Sequence, residues 1–193
     1  MNIFQSKTFW ISAALVLLMA ATRYQHFGSV LTLPDASYAV FFLGGLFLGR
    51  VRGALAILAV LIFESALVDF YAINFADISA WCVTQAYVFM VFAYAALWFV
   101  GRWFAPKHDL SAKGLTGLAV AAVGAGSAAF LIANVSFYLL AGYFDSMSVV
   151  EYVSRVSQYY GSYVAVMAMY VGLAIGVQAV LAQLGRSQVG ANE

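Results

Sequence analysis

Long apolar runs, separated by short boundaries that carry charges, glycine or proline, make up most of the chain. A run of about 20 apolar residues can cross the hydrocarbon core of a bilayer as a helix. The pattern therefore predicts an all-α polytopic membrane protein with six transmembrane helices. The predicted helices cover, in chain order, residues 8–24, 36–48, 53–70, 79–104, 115–143 and 162–184.

Two parts of this pattern are irregular. The second predicted helix is short for a span, so it is either tilted or open at one end into a cavity. Residues 145–160 mix polar and aromatic side chains, and we interpret them as an interfacial segment between helices 5 and 6. The first apolar run lacks a small-residue cleavage site and is interpreted as a retained helix. Residues 1–193 are thus expected to form one transmembrane domain.

Charge supports this class and predicts an orientation. Charged residues make up 9% of the chain, against about 25% in a soluble domain. The net charge of +1 gives no indication of nucleic-acid binding. If both termini are cytoplasmic, every basic residue except Arg23 and Arg155 lies on the inner side, as the positive-inside rule requires. We therefore expect a multi-pass protein of a bacterial inner membrane.

Small residues recur at four-residue spacing in three of the predicted helices. Gly45 and Gly49 form one GxxxG pattern, and Gly172 and Gly176 form another. Such rows let helix backbones approach closely, either inside the bundle or against a partner membrane protein. The row on helix 5 consists of Gly117, Ala121, Ala125, Ala129 and Ala133.

Motifs for hydrolytic chemistry are missing from the sequence. It has no GxxxxGK[ST], no HExxH and no CxxC. The predicted topology places His26 and His108 on opposite sides of the membrane, so they cannot share a metal ion. We therefore do not expect an enzyme, and uphill transport would need a partner or an ion gradient.

Glu64 is the one acidic residue well inside an apolar predicted helix. It is expected about 9 Å below the outer end of helix 3, near Phe70. An intramembrane carboxylate is by default a candidate functional site. The alternative is a structural ion pair, for which Arg23 is the candidate partner.

Cys82 is the only cysteine. Asp77 or Ser79 is a good N-cap, which predicts that Cys82 lies in the first turn of helix 4. A helix N-terminus lowers the pKa of a thiol and favours the thiolate, the form that binds soft metals. The alternative is that Cys82 is a small apolar packing residue.

Aromatic residues gather at the predicted outer ends of the helices. They form either an interfacial belt or the wall of a wide apolar pocket with a few hydrogen-bonding groups. The sequence leaves both interpretations open.

Three segments carry a resemblance to a known family. They are Ala-Thr-Arg-Tyr-Gln-His-Phe at 21–27, Leu-Pro-Asp-Ala-Ser-Tyr at 33–38, and the stretch 77–87 with Cys82. In these strings the chain resembles the S-components of energy-coupling-factor (ECF) vitamin importers, within them the cobalamin-specific BtuM type. It departs from many S-components on helix 1, where no strict AxxxA occurs.

The resemblance implies a transport function. S-components capture a vitamin at the outer face and pair with a membrane coupling protein and two cytosolic ATPases. For this chain the ligand would be cobalamin (vitamin B12) or a related corrinoid, with Cys82 as axial ligand of its cobalt. Such ligation also predicts removal of cyanide from cyanocobalamin as a side reaction. The candidate ligand-binding residues are Cys82, Tyr24, His26, Phe27, Asp35, Tyr38, Asn74, Phe75, Trp81, Gln85, Tyr138, Tyr143, Tyr159 and Tyr163.

Two other interpretations stay open at this point. A proton-coupled carrier would use Glu64 as its proton site. An importer of another small vitamin, proton-coupled or ECF-dependent, would leave Cys82 with a structural role only.

Overall fold

A computed structural model of the chain describes residues 6–23 and 33–190, and most of these residues are helical. No strand occurs in either range, which confirms the all-α prediction. Short 3₁₀ turns lie at Ala80–Cys82, Gln85–Phe89 and Ala105–Lys107. The six α-helices are α1 (Lys7–Arg23), α2 (Ser37–Leu48), α3 (Ala54–Phe75), α4 (Met90–Phe104), α5 (Ala112–Leu140) and α6 (Val149–Gly190).

Within the described residues, four helical stretches are long and apolar enough to cross a membrane. This is the pattern of a multi-pass membrane protein. The helix α2 is apolar but has only 12 residues, and α1 has 17. The four stretches are Ala54–Phe75, Gln85–Lys107, Ala112–Leu140 and Val149–Ser187.

Residues 145–160 were predicted as a separate segment between helices 5 and 6, and that separation is wrong, because residues 149–160 form the first turns of α6. Tyr152 explains why these residues are helical. Its ring is buried against Tyr138 and Phe144, and its hydroxyl donates to the carbonyl oxygen of Asn134 at 3.0 Å. Apolar contacts on one face of the helix therefore outweigh the polar character of the stretch.

The start of predicted helix 4 is also wrong. The helix α3 continues to Phe75, and α4 begins only at Met90. Between them, the Ser79 and Thr84 hydroxyls accept hydrogen bonds from the backbone two residues on, each at 3.2 Å. Each bond caps a separate 3₁₀ turn, so the chain does not enter α4 at once.

The helix α2 lies at the centre of the bundle, and all of its residues except Phe47 are buried. It lies directly against α4. A Cβ atom on Gly45 would overlap the backbone carbonyl of Trp98, and one on Gly101 would overlap that of Phe42. The first GxxxG row therefore packs inside the bundle. The helix 5 row does so as well, since Ala121, Ala125 and Ala129 are buried.

The second GxxxG row has different surroundings. A Cβ atom on Gly172 or Gly176 would meet no described atom within 4 Å outside its own helix. Both glycines lie in a shallow apolar groove whose lining residues all belong to α6. The part of the chain that the structure describes therefore does not use this row for internal packing, and the docking interpretation stays a prediction.

Candidate functional site

A pocket of about 260 Å³ opens at the end of the bundle where α3 and α5 end and α2 begins. Its walls are mainly apolar and aromatic, with a polar floor. The first turn of α2 contributes Ser37 and Tyr38, which fits the interpretation that this short helix opens into a cavity. Four candidate residues line the pocket: Asp35, Tyr38, Cys82 and Tyr163.

The floor is built around Arg23, of which 4% is exposed. Its guanidinium forms a two-pronged pair with Asp69, with Nε–Oδ1 at 2.8 Å and Nη2–Oδ2 at 2.7 Å. Its Nη1 also donates to the hydroxyls of Ser37 at 2.8 Å and Tyr94 at 2.7 Å. One cation thus connects α1, α2, α3 and α4. A buried ion pair with complete hydrogen bonding fixes the relative positions of the helices that carry it.

The Asp69 carboxylate has a further donor, the hydroxyl of Tyr87 at 2.5 Å. Its charge is therefore neutralised by Arg23 and its oxygens are occupied. The sequence-based interpretation that Arg23 pairs with Glu64 is wrong, because the guanidinium is bound by Asp69 five residues further along α3.

Asp35 precedes α2 and binds the first residue of that helix through hydrogen bonds. Its Oδ1 accepts hydrogen bonds from the backbone nitrogen of Ser37 at 2.8 Å and from its hydroxyl at 2.6 Å, while Oδ2 lies 3.9 Å from the Arg23 guanidinium. The floor therefore contains one guanidinium and the two carboxylates of Asp35 and Asp69. The net charge of these three groups is negative, which disfavours an anionic ligand and favours one that carries positive charge.

Cys82 ends the 3₁₀ turn Ala80–Cys82 on the pocket wall, and its side chain is accessible. The expectation of a helix N-terminus that lowers the pKa of the thiol is wrong, because α4 begins eight residues later. Burial, together with the charge of Asp69, instead raises the pKa of Cys82. The resting side chain is therefore a thiol, and a metal that binds its sulfur must displace the proton.

Two phenols on the wall have free hydroxyls. The rings of Tyr38 and Tyr163 pack against each other with centroids 5.3 Å apart. Neither hydroxyl hydrogen-bonds to any residue in the described ranges. Tyr87 and Tyr94 differ, because their hydroxyls are bound to Asp69 and Arg23. A ligand would find its open hydrogen-bonding groups at Tyr38 and Tyr163.

Most other candidate residues lie outside the pocket lining. Trp81 stacks on Tyr143 with centroids 5.2 Å apart, and it contacts Phe137, which does line the pocket. Tyr24, His26 and Phe27 lie outside the described residues. The described candidates that do not line the pocket are Asn74, Phe75, Trp81, Gln85, Tyr138, Tyr143 and Tyr159.

Some of these residues have other contacts. Asn74 donates to the Phe70 carbonyl of its own helix at 2.8 Å, and Phe75 stacks on Tyr71. The Tyr138 hydroxyl donates to the carbonyl of Met147 at 2.8 Å. These bonds stabilise the ends of the helices and the connection between α5 and α6.

Sequence reasoning missed one wall of the pocket. Four of its residues come from α5 and share one face of that helix, at spacings of three, four and seven residues. That periodicity was the available signal, but an apolar helix face is also typical of ordinary bundle packing. The four residues are Phe130, Ala133, Asn134 and Phe137.

The side chains that line the pocket limit which metals it could bind. Across residues 6–23 and 33–190, no three or more His, Cys, Asp or Glu side chains lie together in a group that could hold a metal ion. The pocket lining contains two soft sulfur atoms, the Cys82 thiol and the Met90 thioether, and the thiol is the one that can ionise to a thiolate. The Cys82 sulfur could supply one ligand to a metal that brings its other ligands with it.

No family model matches the chain, and no curated protein matches it.

Proposed function

We propose that this protein captures a cobalamin-type corrinoid in the pocket, with the Cys82 sulfur as an axial ligand of the cobalt. In this proposal it is the substrate-binding S-component of an ECF-type importer in a bacterial inner membrane. All six helices cross the membrane, both termini are cytoplasmic, and the pocket faces outward.

The observation that carries the proposal is the accessible Cys82 thiol on the pocket wall. The corrin macrocycle occupies the four equatorial positions of cobalt and leaves only axial positions to be filled. One soft donor that can ionise to a thiolate meets that requirement. The negative floor beneath it suits an electropositive metal centre.

The size and lining of the pocket limit how much of the ligand it encloses. Pockets for drug-sized ligands measure about 300–1,000 Å³, and a corrinoid is larger than such ligands. A pocket of about 260 Å³ would therefore enclose one face of the ring and leave the remainder at the mouth. The free hydroxyls of Tyr38 and Tyr163 can hydrogen-bond to the amide arms that surround the corrin.

Transport in this proposal depends on other proteins. The sequence has no phosphate-binding loop for ATP. Energy would come from the coupling protein and the ATPases that the family resemblance implies. The protein would act as a binding subunit and not as an enzyme, with cyanide removal from cyanocobalamin as a side reaction of thiolate ligation.

The small volume of the pocket favours a second candidate function. A vitamin smaller than a corrinoid would fit entirely within about 260 Å³ and would make Cys82 a wall residue. The two candidates differ in whether the ligand touches the sulfur.

An absorption spectrum tests the assignment. Purified protein is incubated with hydroxocobalamin, freed of excess ligand and compared with Cys82→Ala and with Ser157→Ala, which removes one exposed oxygen from α6 outside the pocket lining. Wild type and S157A should retain corrinoid with bands shifted by the new axial ligand, and C82A should not. Retention by C82A with an unchanged spectrum would disprove the cobalt–sulfur bond. Retention by none of the three would disprove the choice of ligand and favour the smaller vitamin.

A further inference from the structure

Glu64 lies in the middle of α3, away from the pocket. It comes ten residues after Ala54 and eleven before Phe75, so about 15 Å of helix separates it from either end. This is deeper than the 9 Å expected from the sequence, because α3 continues to Phe75. In a bilayer with a core of about 30 Å, such a position is close to the midplane.

The carboxyl group of Glu64 has no hydrogen-bonding partner. Both oxygens are buried, and neither forms a hydrogen bond within the described residues. Arg23 is the charged side chain that acts on it electrostatically, but its guanidinium is bound to Asp69. The titratable groups on the helices packed against α3 are Lys7 and Arg23 of α1, Tyr38 of α2, and Tyr94 and Arg102 of α4.

At a buried site without hydrogen-bond donors, the ionised and the neutral forms of the Glu64 carboxyl differ greatly in free energy. An ionised carboxylate without donors in an apolar interior loses its hydration and gains nothing in return, whereas the neutral acid loses much less. Ionisable residues inside membrane spans usually face a partner or a water-filled cavity and mark proton or ion pathways. Glu64 has no hydrogen-bonding partner among the described residues, and it lines neither the corrinoid pocket nor the groove on α6.

We propose that Glu64 is a neutral carboxylic acid in the resting protein and is a proton-binding site in the middle of the membrane. The ligand of this second site is a proton. The site is independent of the corrinoid pocket, since Glu64 does not line that pocket.

The glutamate content of the chain allows a direct test, because Glu64, Glu151 and Glu193 are its only glutamates. The protein is produced with ¹³C in the glutamate side-chain carboxyl and placed in lipid nanodiscs. The carboxyl resonances are then recorded by NMR from about pH 4 to about pH 9. The Glu64 resonance should keep the chemical shift of the protonated acid well above the ordinary glutamate value of about 4.3.

Two assignments make the result decisive. Glu151→Gln and Glu193→Gln each remove one resonance without altering α3, so the Glu64 signal is identified even where Glu64→Gln does not fold. A folded Glu64→Gln protein should lack the signal that stays protonated. If the Glu64 resonance titrates near the ordinary glutamate value, Glu64 is ionised at neutral pH and the proposal is wrong. Corrinoid retention is measured separately, so either proposal can fail alone.

Discussion

Asp69 and Glu64 lie on the same helix, five residues apart, but their carboxyl groups have opposite surroundings. Asp69 receives three hydrogen bonds from the Arg23 guanidinium and the Tyr87 hydroxyl. The oxygens of Glu64 are also buried and have no partner in the described structure. The charge of Asp69 stabilises the floor of the pocket, whereas a charge on Glu64 would destabilise the middle of α3.

The difference shows that position along a helix does not fix the role of an acid. The Arg23 guanidinium can form a bidentate pair with only one carboxylate at a time, and that carboxylate is Asp69. The neighbouring acid is then left neutral or available to another partner.

The largest effect is expected for Asp69→Asn. It leaves the Arg23 guanidinium buried without a counter-charge, a change that costs about 3–5 kcal/mol in other buried pairs. The matched variant Glu64→Gln replaces a neutral acid by an amide of the same shape and should change stability by less than about 1 kcal/mol. Thermal unfolding followed by size-exclusion chromatography measures both. Equal losses would show that Glu64 is also ionised and paired.

Gly45→Ala tests the packing of α2 against α4, the two helices whose hydroxyl groups bind Arg23. Ser37 on α2 and Tyr94 on α4 both accept from its guanidinium, and the same two helices are in close contact at Gly45. Gly45→Ala forces a methyl group against the Trp98 backbone and should cost about 3 kcal/mol. Gly176→Ala is the control, since the site has open space, and it should change stability by no more than about 0.5 kcal/mol. Similar melting temperatures for both variants would disprove the tight α2–α4 contact.

The third prediction concerns pH and applies if Cys82 binds cobalt. Below the pKa of the thiol, which burial and Asp69 raise, binding must release one proton. The corrinoid affinity should therefore rise about tenfold per pH unit and stop rising above the thiol pKa, which lies above the usual value of about 8.5. Spectral titrations at several pH values measure this slope. The Glu64→Gln protein should show the same slope, and a flat profile in wild type would contradict release of a thiol proton.

The smallest effect is expected at the aromatic contacts beside Cys82. Trp81 stacks on Tyr143 and contacts Phe137, and so it holds the 3₁₀ turn against α5. Trp81→Ala should loosen this turn and weaken corrinoid binding about two- to tenfold, given about 0.5–1.5 kcal/mol for an aromatic pair. Trp10→Ala removes an exposed tryptophan from α1 and should leave the affinity unchanged. A larger loss at Trp10 would place the ligand elsewhere.

Sequence patterns predicted the helical class and most helix positions, because long apolar runs have few other possible structures. They failed where side chains compete with regular structure. The hydroxyls of Ser79 and Thr84 cap local turns, and Tyr152 makes a polar stretch helical through contacts with distant rings. Neither effect is visible as periodicity.

The candidate site was predicted in part for a similar reason. Asp35, Tyr38, Cys82 and Tyr163 were identified and line the pocket, whereas the pairing of Arg23 with Asp69 depends on how α1 and α3 pack. Both acids of α3 were visible in the sequence, but the sequence alone could not show which one the guanidinium reaches.

The length of α6 has a mechanical consequence. Its 42 residues form a rod of about 63 Å, roughly twice the thickness of the hydrocarbon core. A rotation of the bundle by about 10° would displace one end of such a rod by about 11 Å relative to the other. The far turns of α6 therefore magnify any reorientation of the protein in the bilayer, and a spectroscopic distance label would detect it there most sensitively.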